Sequence, residues 1–257
     1  MKQTLLVVDG NWVMHRYWDA DPSTCTFETM FNYVQYAKGL CDASKTIILF
    51  DNGRSSYRTG ILESYKGNRN HPSEQINCFD LIKKSWQNYA SMNDDDYLVL
   101  TKENTEADDW ACKICSILKG DPEVTIFLLS IDHDWFQLLE GRRVMQLRYS
   151  IVDKVEKVVT EEDATKQIGF PAKRWAELAA FIGDPGDGVP SSSIGEAKAL
   201  KWLHRYYSLM GAISHEPDAQ AEAWKLLRNY QLTHLDPSVI SLGKKEEERI
   251  KAFATGE

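Results

Sequence analysis

Short apolar runs rich in β-branched residues recur through the first part of the chain, each closed by a polar or turn-forming stretch. They predict strands over residues 4–8, 46–50, 97–100, 125–129 and 144–147. Between them, apolar residues at helical spacing predict helices around 27–40, 73–92 and 106–118. Strands alternating with helices make an α/β fold, a mostly parallel central sheet flanked by helices. From residue 160 the β-rich runs stop and helical patterns take over, broken by turn clusters at 183–193 and 215–218. The pattern therefore divides the chain into an α/β unit over 1–160 and a helical unit over 161–257. Residues 244–251 read as a solvated, charged helix near a fraying end.

Composition narrows the class without naming a chemistry. A chain of 257 residues, 43% hydrophobic and 26% charged, buries a full core and is neither disordered, collagenous nor a coiled coil. No run approaches the ~20 apolar residues of a membrane span, and the apolar start is ended by Asp9, so no membrane partner and a cytoplasmic location are expected. Five thinly spread cysteines suggest reduced thiols. Cys112 and Cys115 have metal-ligand spacing, but no second pair or nearby His completes a zinc site, and the preferred reading is two small residues on a buried helix face.

The candidate chemistry lies where strands end. Val8 runs into Asp9, Phe50 into Asp51, and Leu129 through Ser130 into Asp132 and Asp134. In open parallel sheets the carboxyl ends of strands line the ligand crevice, so these acids can converge. Any one of them could simply begin a turn, and their coincidence is the signal. A second group, Glu106, Asp108 and Asp109, opens a helix with more acid than a cap requires. Asp184 and Asp187 lie in a Gly-rich turn. Nine gathered carboxylates repel unless cations or large pKa shifts relieve them. Oxygen-only ligands select Mg²⁺ or Mn²⁺, and two such ions about 3.5 to 4 Å apart form the clamp used in phosphodiester hydrolysis. The net charge of −8 does not exclude nucleic acid, because without these nine acids 29 remain against 30 basic residues.

After Asp51 come Arg54, Tyr57, Arg58, Tyr65, Lys66 and Arg69, interrupted by one acid, Glu63. Cations interleaved with rings suit single-stranded nucleic acid, phosphates meeting the charges and bases the rings. A mobile, solvated loop is the alternative.

Six segments in order, VVDGNWVMHR (7–16), FDNGRSSYR (50–58), YKGNR (65–69), EADD (106–109), SIDHDWFQLL (130–139) and FIGDPGDGVP (181–190), resemble the flap endonuclease and 5′-to-3′ exonuclease family, particularly its short bacteriophage members. The resemblance implies a 5′-nuclease (PIN-like) core and two divalent ions. Asp9, Asp51, Glu106 and Asp108 would hold the first ion. Asp109, Asp132, Asp134, Asp184 and Asp187 would form the second site and its water-bridged shell. It implies that Lys66 reaches the scissile phosphate with Arg69 beside it, that Arg16 is a basic residue next to the active site, and that Tyr65 stacks on a terminal base. Arg54, Arg58, Tyr65, Lys66 and Arg69 make up the expected DNA contacts of an arch over about 52–72, with Arg16 a further expected contact outside it. A helix-hairpin-helix over about 183–203 would grip duplex phosphates through Ser193, Gly195 and Lys198, with a K⁺ ion in many members. Here the hairpin departs from the family pattern: Ser191-Ser192-Ser193 follows Gly188, and Ala197 stands at the lysine position with Lys198 one step later.

The implied activity is a structure-specific 5′ nuclease of replication or repair. It would be a monomer acting on DNA with 5′ ends, flaps or branches, and RNA–DNA hybrids remain open as substrates. A PIN-like ribonuclease, a non-catalytic branched-DNA-binding protein of the same fold, and a phosphatase using Asp132-His133-Asp134 are the competing functions. No phosphate-loop motif of the G-x-x-x-x-G-K-[ST] type occurs.

Overall fold

In the computed structural model, which describes residues 2–150, 153 and 155–256, the apolar runs assemble into one six-stranded sheet. In chain order the strands are β1 (Gln3–Asp9), β2 (Lys45–Leu49), β3 (Tyr97–Leu100), β4 (Val124–Leu129), β5 (Val144–Ser150) and β6 (Val155–Val159), arranged β3-β2-β1-β4-β5-β6. The first five run parallel and β6 is antiparallel to β5. The sequence pattern missed β6 because its run, VEKVV, is a mostly exposed edge strand with little apolar signal.

Helices cover both faces. On one side lie α1 (Gly10–Ala20), α2 (Phe27–Leu40) and α4 (Ser73–Met92), packed over Leu6, Val8, Ile48 and Phe50. On the other, α5 (Ala107–Ile117) and α12 (Lys244–Thr255) cover Leu5, Val7, Ile47 and Leu49. Alternate residues of β1 thus enter opposite cores, which is why the strand reads as a continuous apolar run. The helix α1 was not foreseen. It starts at Gly10 directly against the end of β2, where a Cβ would lie 2.4 Å from the Phe50 ring and 2.7 Å from the Leu49 carbonyl oxygen. Contrary to expectation, α12 does not fray: Ile250 and Ala254 are buried against the sheet, and Lys113 pairs with Glu247 at 2.7 Å.

The remaining helices are α3 (Ser56–Ile61), α6 (Glu161–Ile168), α7 (Trp175–Ile182), α8 (Glu196–Tyr206), α9 (Leu209–His215), α10 (Pro217–Ala221) and α11 (Ala223–Thr233). A third core, centred on Leu178, Phe181, Trp202, Leu203 and Leu226, holds α7 to α11 together. A small cluster of Tyr65, Val189 and Leu232 joins the segment after α3 to these helices. Among the described residues no helix is long and apolar enough to cross a membrane.

Candidate active site

Strand register brings the acids together. Val8 pairs with both Ile48 and Leu129, so β1, β2 and β4 end side by side and release Asp9, Asp51 and Asp132 into one crevice. Asp9 caps α1, its Oδ1 accepting the Trp12 N–H at 2.9 Å, while its Oδ2 accepts the Ser130 hydroxyl at 2.9 Å. Asp51 Oδ1 accepts the Ala107 N–H at 2.7 Å, at the positive end of α5. The next residue of α5, Asp108, accepts the Trp135 indole N–H at 2.5 Å. Asp132 Oδ1 accepts the Asp134 N–H at 2.8 Å. Together with Asp187, these four line a cavity of about 200 Å³.

Crowding shifts their titration. Burial, then the charges of Asp51 and Asp132, raises Asp9 to about 7. Burial likewise pushes Asp108 well above the usual carboxylate range and raises Asp132, with neighbouring acids adding to both. A raised carboxyl pKa marks a place where a cation would be welcome.

The structure supplies protein cations at the rim. Lys66 adopts φ +53, and its N–H donates to the Asp187 carbonyl at 2.8 Å, so the main chain presents its side chain to the acids. Its Nζ lies 2.9 Å from Glu106 Oε2 and 3.7 Å from Asp187 Oδ2. Burial pulls its pKa down, but the charges of Glu106, Asp51 and Asp187 outweigh it and hold the amine protonated, above the ordinary lysine range. Arg69 pairs with Asp187 and donates to the Gly186 carbonyl. Glu106 is buried, yet Lys66 and Arg58 outweigh that burial and keep it below the normal range.

Not every expected residue reaches the cavity. Asp109 is turned to Arg58 at 2.9 Å, and Asp134 accepts the Trp175 indole N–H at 2.8 Å. Asp184 caps its own turn, accepting from Gly186 and Asp187. Two expected DNA contacts need correction. Arg58 is only 2% exposed, paired with Glu106 and Asp109 and donating Nε–H to the Leu232 carbonyl at 2.9 Å. Tyr65 is also 2% exposed, its hydroxyl shared between Glu106 at 3.1 Å and Asp187 at 2.8 Å. Both belong to the support behind the acids, because residues 52–72 fold as α3 and a turn docked on the helices rather than as an open loop. Arg54 stays exposed and, with Lys83, lines a neighbouring cavity of about 580 Å³ that also reaches Asp51, Lys66 and Arg69. Lys83 was missed, since a basic residue on an amphipathic helix carries no signal until α4 is placed. Its Nζ donates to the Asp51 carbonyl at 2.8 Å.

In the expected hairpin, the Ser193 N–H and hydroxyl both donate to Glu222, and Lys198 pairs with Asp218. Gly195 is exposed at the N-cap of α8. Cys112 and Cys115 lie on α5, and burial pushes both thiols up to about 12.

The donor set fits hard divalent cations: five carboxylates and no thiol line one cavity. Among the described residues, no three His, Cys, Asp or Glu side chains are drawn tightly enough to enclose one ion as they stand. Lys66 and Arg69 satisfy part of the same negative charge.

A mostly parallel sheet whose strand ends converge on an acid cavity, with helices appended, is an α/β fold with its ligand crevice at the strand ends. Residues 4–169 match the family model described as 5′-3′ exonuclease, N-terminal resolvase-like domain, and the chain belongs to that family. It is 27% identical over 165 residues to a 5′-3′ exonuclease of Bacillus subtilis (strain 168), covering 63% of this chain and 53% of that protein. To the thermostable DNA polymerase I of Thermus filiformis it is 25% identical over 247 residues, covering 93% of this chain and 28% of the relative. The chain thus spans about half of the first relative's length and about a quarter of the second's. A solved bacteriophage T5 flap endonuclease, in a pseudo-enzyme-product complex with DNA and metal ions, superposes with a TM-score of 0.79 at 22% identity, over 98% of this chain and 99% of that one. At that identity the likeness shows a shared fold.

Proposed function

We propose that this chain is a divalent-metal-dependent 5′ nuclease, hydrolysing DNA phosphodiester bonds at or near 5′ ends as an exonuclease and flap endonuclease. The observation that carries it is the convergence of Asp9, Asp51, Asp108, Asp132 and Asp187 on one cavity beneath Lys66 and Arg69. Those five acids are the proposed direct ligands of Mg²⁺ or Mn²⁺. Glu106, Asp109, Asp134 and Asp184 act behind them, through Lys66, Arg58, Trp175 and the 184–187 turn. A pair of such ions supplies a more acidic water and charge neutralisation at the phosphate.

The chain's own residues do the rest. Lys66, held protonated, meets charge developing on the phosphoryl oxygens, and Arg69 orients the strand beside it. Arg54 and Lys83 line the path by which a 5′ strand arrives. The α/β unit over 1–160, with α12 returning to cover its sheet, is the proposed catalytic domain, and the helices α7 to α11 the proposed duplex-binding part.

Cleavage of an end-labelled 5′-flap duplex with Mg²⁺, and its loss with chelator, is the direct test. Binding without cutting at any Mg²⁺ or Mn²⁺ concentration would replace the proposal with a non-catalytic DNA-binding role. Lys66→Ala is expected to slow the single-turnover step by about 10²-fold while changing DNA affinity little. A defect confined to affinity would remove Lys66 from the chemistry.

A further inference from the structure

The basic side chains around the acid cavity serve only part of it. Lys66 and Arg69 direct their charge to Glu106 and Asp187, and Arg16, expected among the DNA contacts, is held by the Tyr33 hydroxyl at 2.6 Å and by Glu156 at 3.4 Å. Asp9, Asp51, Asp108 and Asp132 are anchored instead by neutral donors. For Asp51 and Asp132 that donor is a main-chain N–H. For Asp108 it is the indole N–H of Trp135, 27 residues further along the chain.

Trp135 lies in the short 3₁₀ turn Asp134–Leu138, its ring fully buried in the same core as Trp110 and Phe136. The turn is pinned from the helical half, where the Trp175 indole N–H donates to Asp134 Oδ1 at 2.8 Å and the His133 ring stacks on Trp175 with centroids 5.3 Å apart. A fixed turn therefore carries the indole to Asp108. Burial of an indole does not by itself secure a partner in this chain, because the N–H groups of Trp86 and Trp110 have none among the described residues. An indole is neutral and donates only, so it orients a carboxylate without cancelling the charge that attracts a cation. The bond occupies Asp108 Oδ1, and among the described residues no donor is bonded to Oδ2.

We infer that Trp135 is the positioning residue for Asp108. By holding Oδ1 it leaves Oδ2 to ligate, which favours a small cation of strict octahedral geometry, Mg²⁺ or Mn²⁺, over Ca²⁺, a larger ion that accepts both oxygens of a carboxylate. The inference rests on the metal-dependent nuclease proposal and adds to it the group that sets which ion the acids select.

The test measures metal binding by the DNA-free protein, with free Mn²⁺ followed by its electron paramagnetic resonance signal and Mg²⁺ and Ca²⁺ read by competition against it. Trp135→Phe removes the donor and keeps a ring. Replacing Trp135 by 3-benzothienylalanine puts sulfur in place of the N–H at nearly the same volume, which separates the bond from the packing. Both changes are expected to lower Mn²⁺ and Mg²⁺ affinity about tenfold to a hundredfold, with a smaller loss for Ca²⁺. In an Asp108→Asn background, which itself weakens binding, Trp135→Phe should cause no further loss. A loss in Trp135→Phe that the sulfur isostere does not share would make Trp135 a packing residue and overturn the inference, as would equal losses for Mg²⁺ and Ca²⁺. Unchanged affinities in both forms would also overturn it, leaving the nuclease proposal standing. A wild-type protein that binds Mn²⁺ no better than Asp108→Asn would overturn both.

Discussion

Asp132→Asn is expected to lower cleavage by on the order of 10³-fold while leaving binding of branched DNA nearly intact. Asp132 is the acid that follows the β4 terminus, and it faces Asp9 and Asp108 across the cavity, where its charge contributes to raising both. An amide keeps the shape and still accepts the Asp134 N–H, so the fold should survive. What goes is the negative charge that makes a divalent cation the natural occupant. Single-turnover cleavage of a labelled flap, paired with an affinity measurement, reads the two effects separately. Unchanged turnover would take Asp132 out of the site.

The largest effect on stability should come from Arg58→Ala, with an expected loss of about 3 to 5 kcal/mol. The side chain is enclosed, its guanidinium compensates Glu106 and Asp109, and its Nε–H satisfies the last turn of α11. Truncation leaves two buried acids short of a cation and the Leu232 carbonyl short of a donor. Arg58→Lys should recover only part, since one ammonium cannot reproduce the fork that reaches all three groups. Urea unfolding compares the variants, and a loss under about 1 kcal/mol would mean that Lys66 and Tyr65 suffice to hold the acids.

The parallel sheet was legible because its central strands are buried on both faces and therefore appear as uninterrupted apolar runs. Asp9, Asp51 and Asp132 stood out because they follow those runs closely, whereas Asp108 and Asp187 stood out at a helix start and in a Gly-rich turn. What sequence could not show was direction. Arg58 and Tyr65 look like nucleic-acid contacts when interleaved with Arg54 and Lys66, and only the docking of α3 on α11 turns them inward. The place of Lys83 beside Asp51 depends on a contact between distant segments and leaves no local pattern. The strand β6 is polar enough to pass for a loop. The stripe of Ile250, Phe253 and Ala254 in α12 was outweighed by the charges around it, although that stripe is what docks the helix.

The hydrogen bond from the Lys66 amide to the Asp187 carbonyl ties the rim of the acid cavity to the helical half of the molecule through main-chain atoms alone. The ammonium's aim is thus set by the main chain of a turn between α7 and α8, within the helical half. Because donor and acceptor are both backbone atoms, side-chain substitution alone would not sever that linkage.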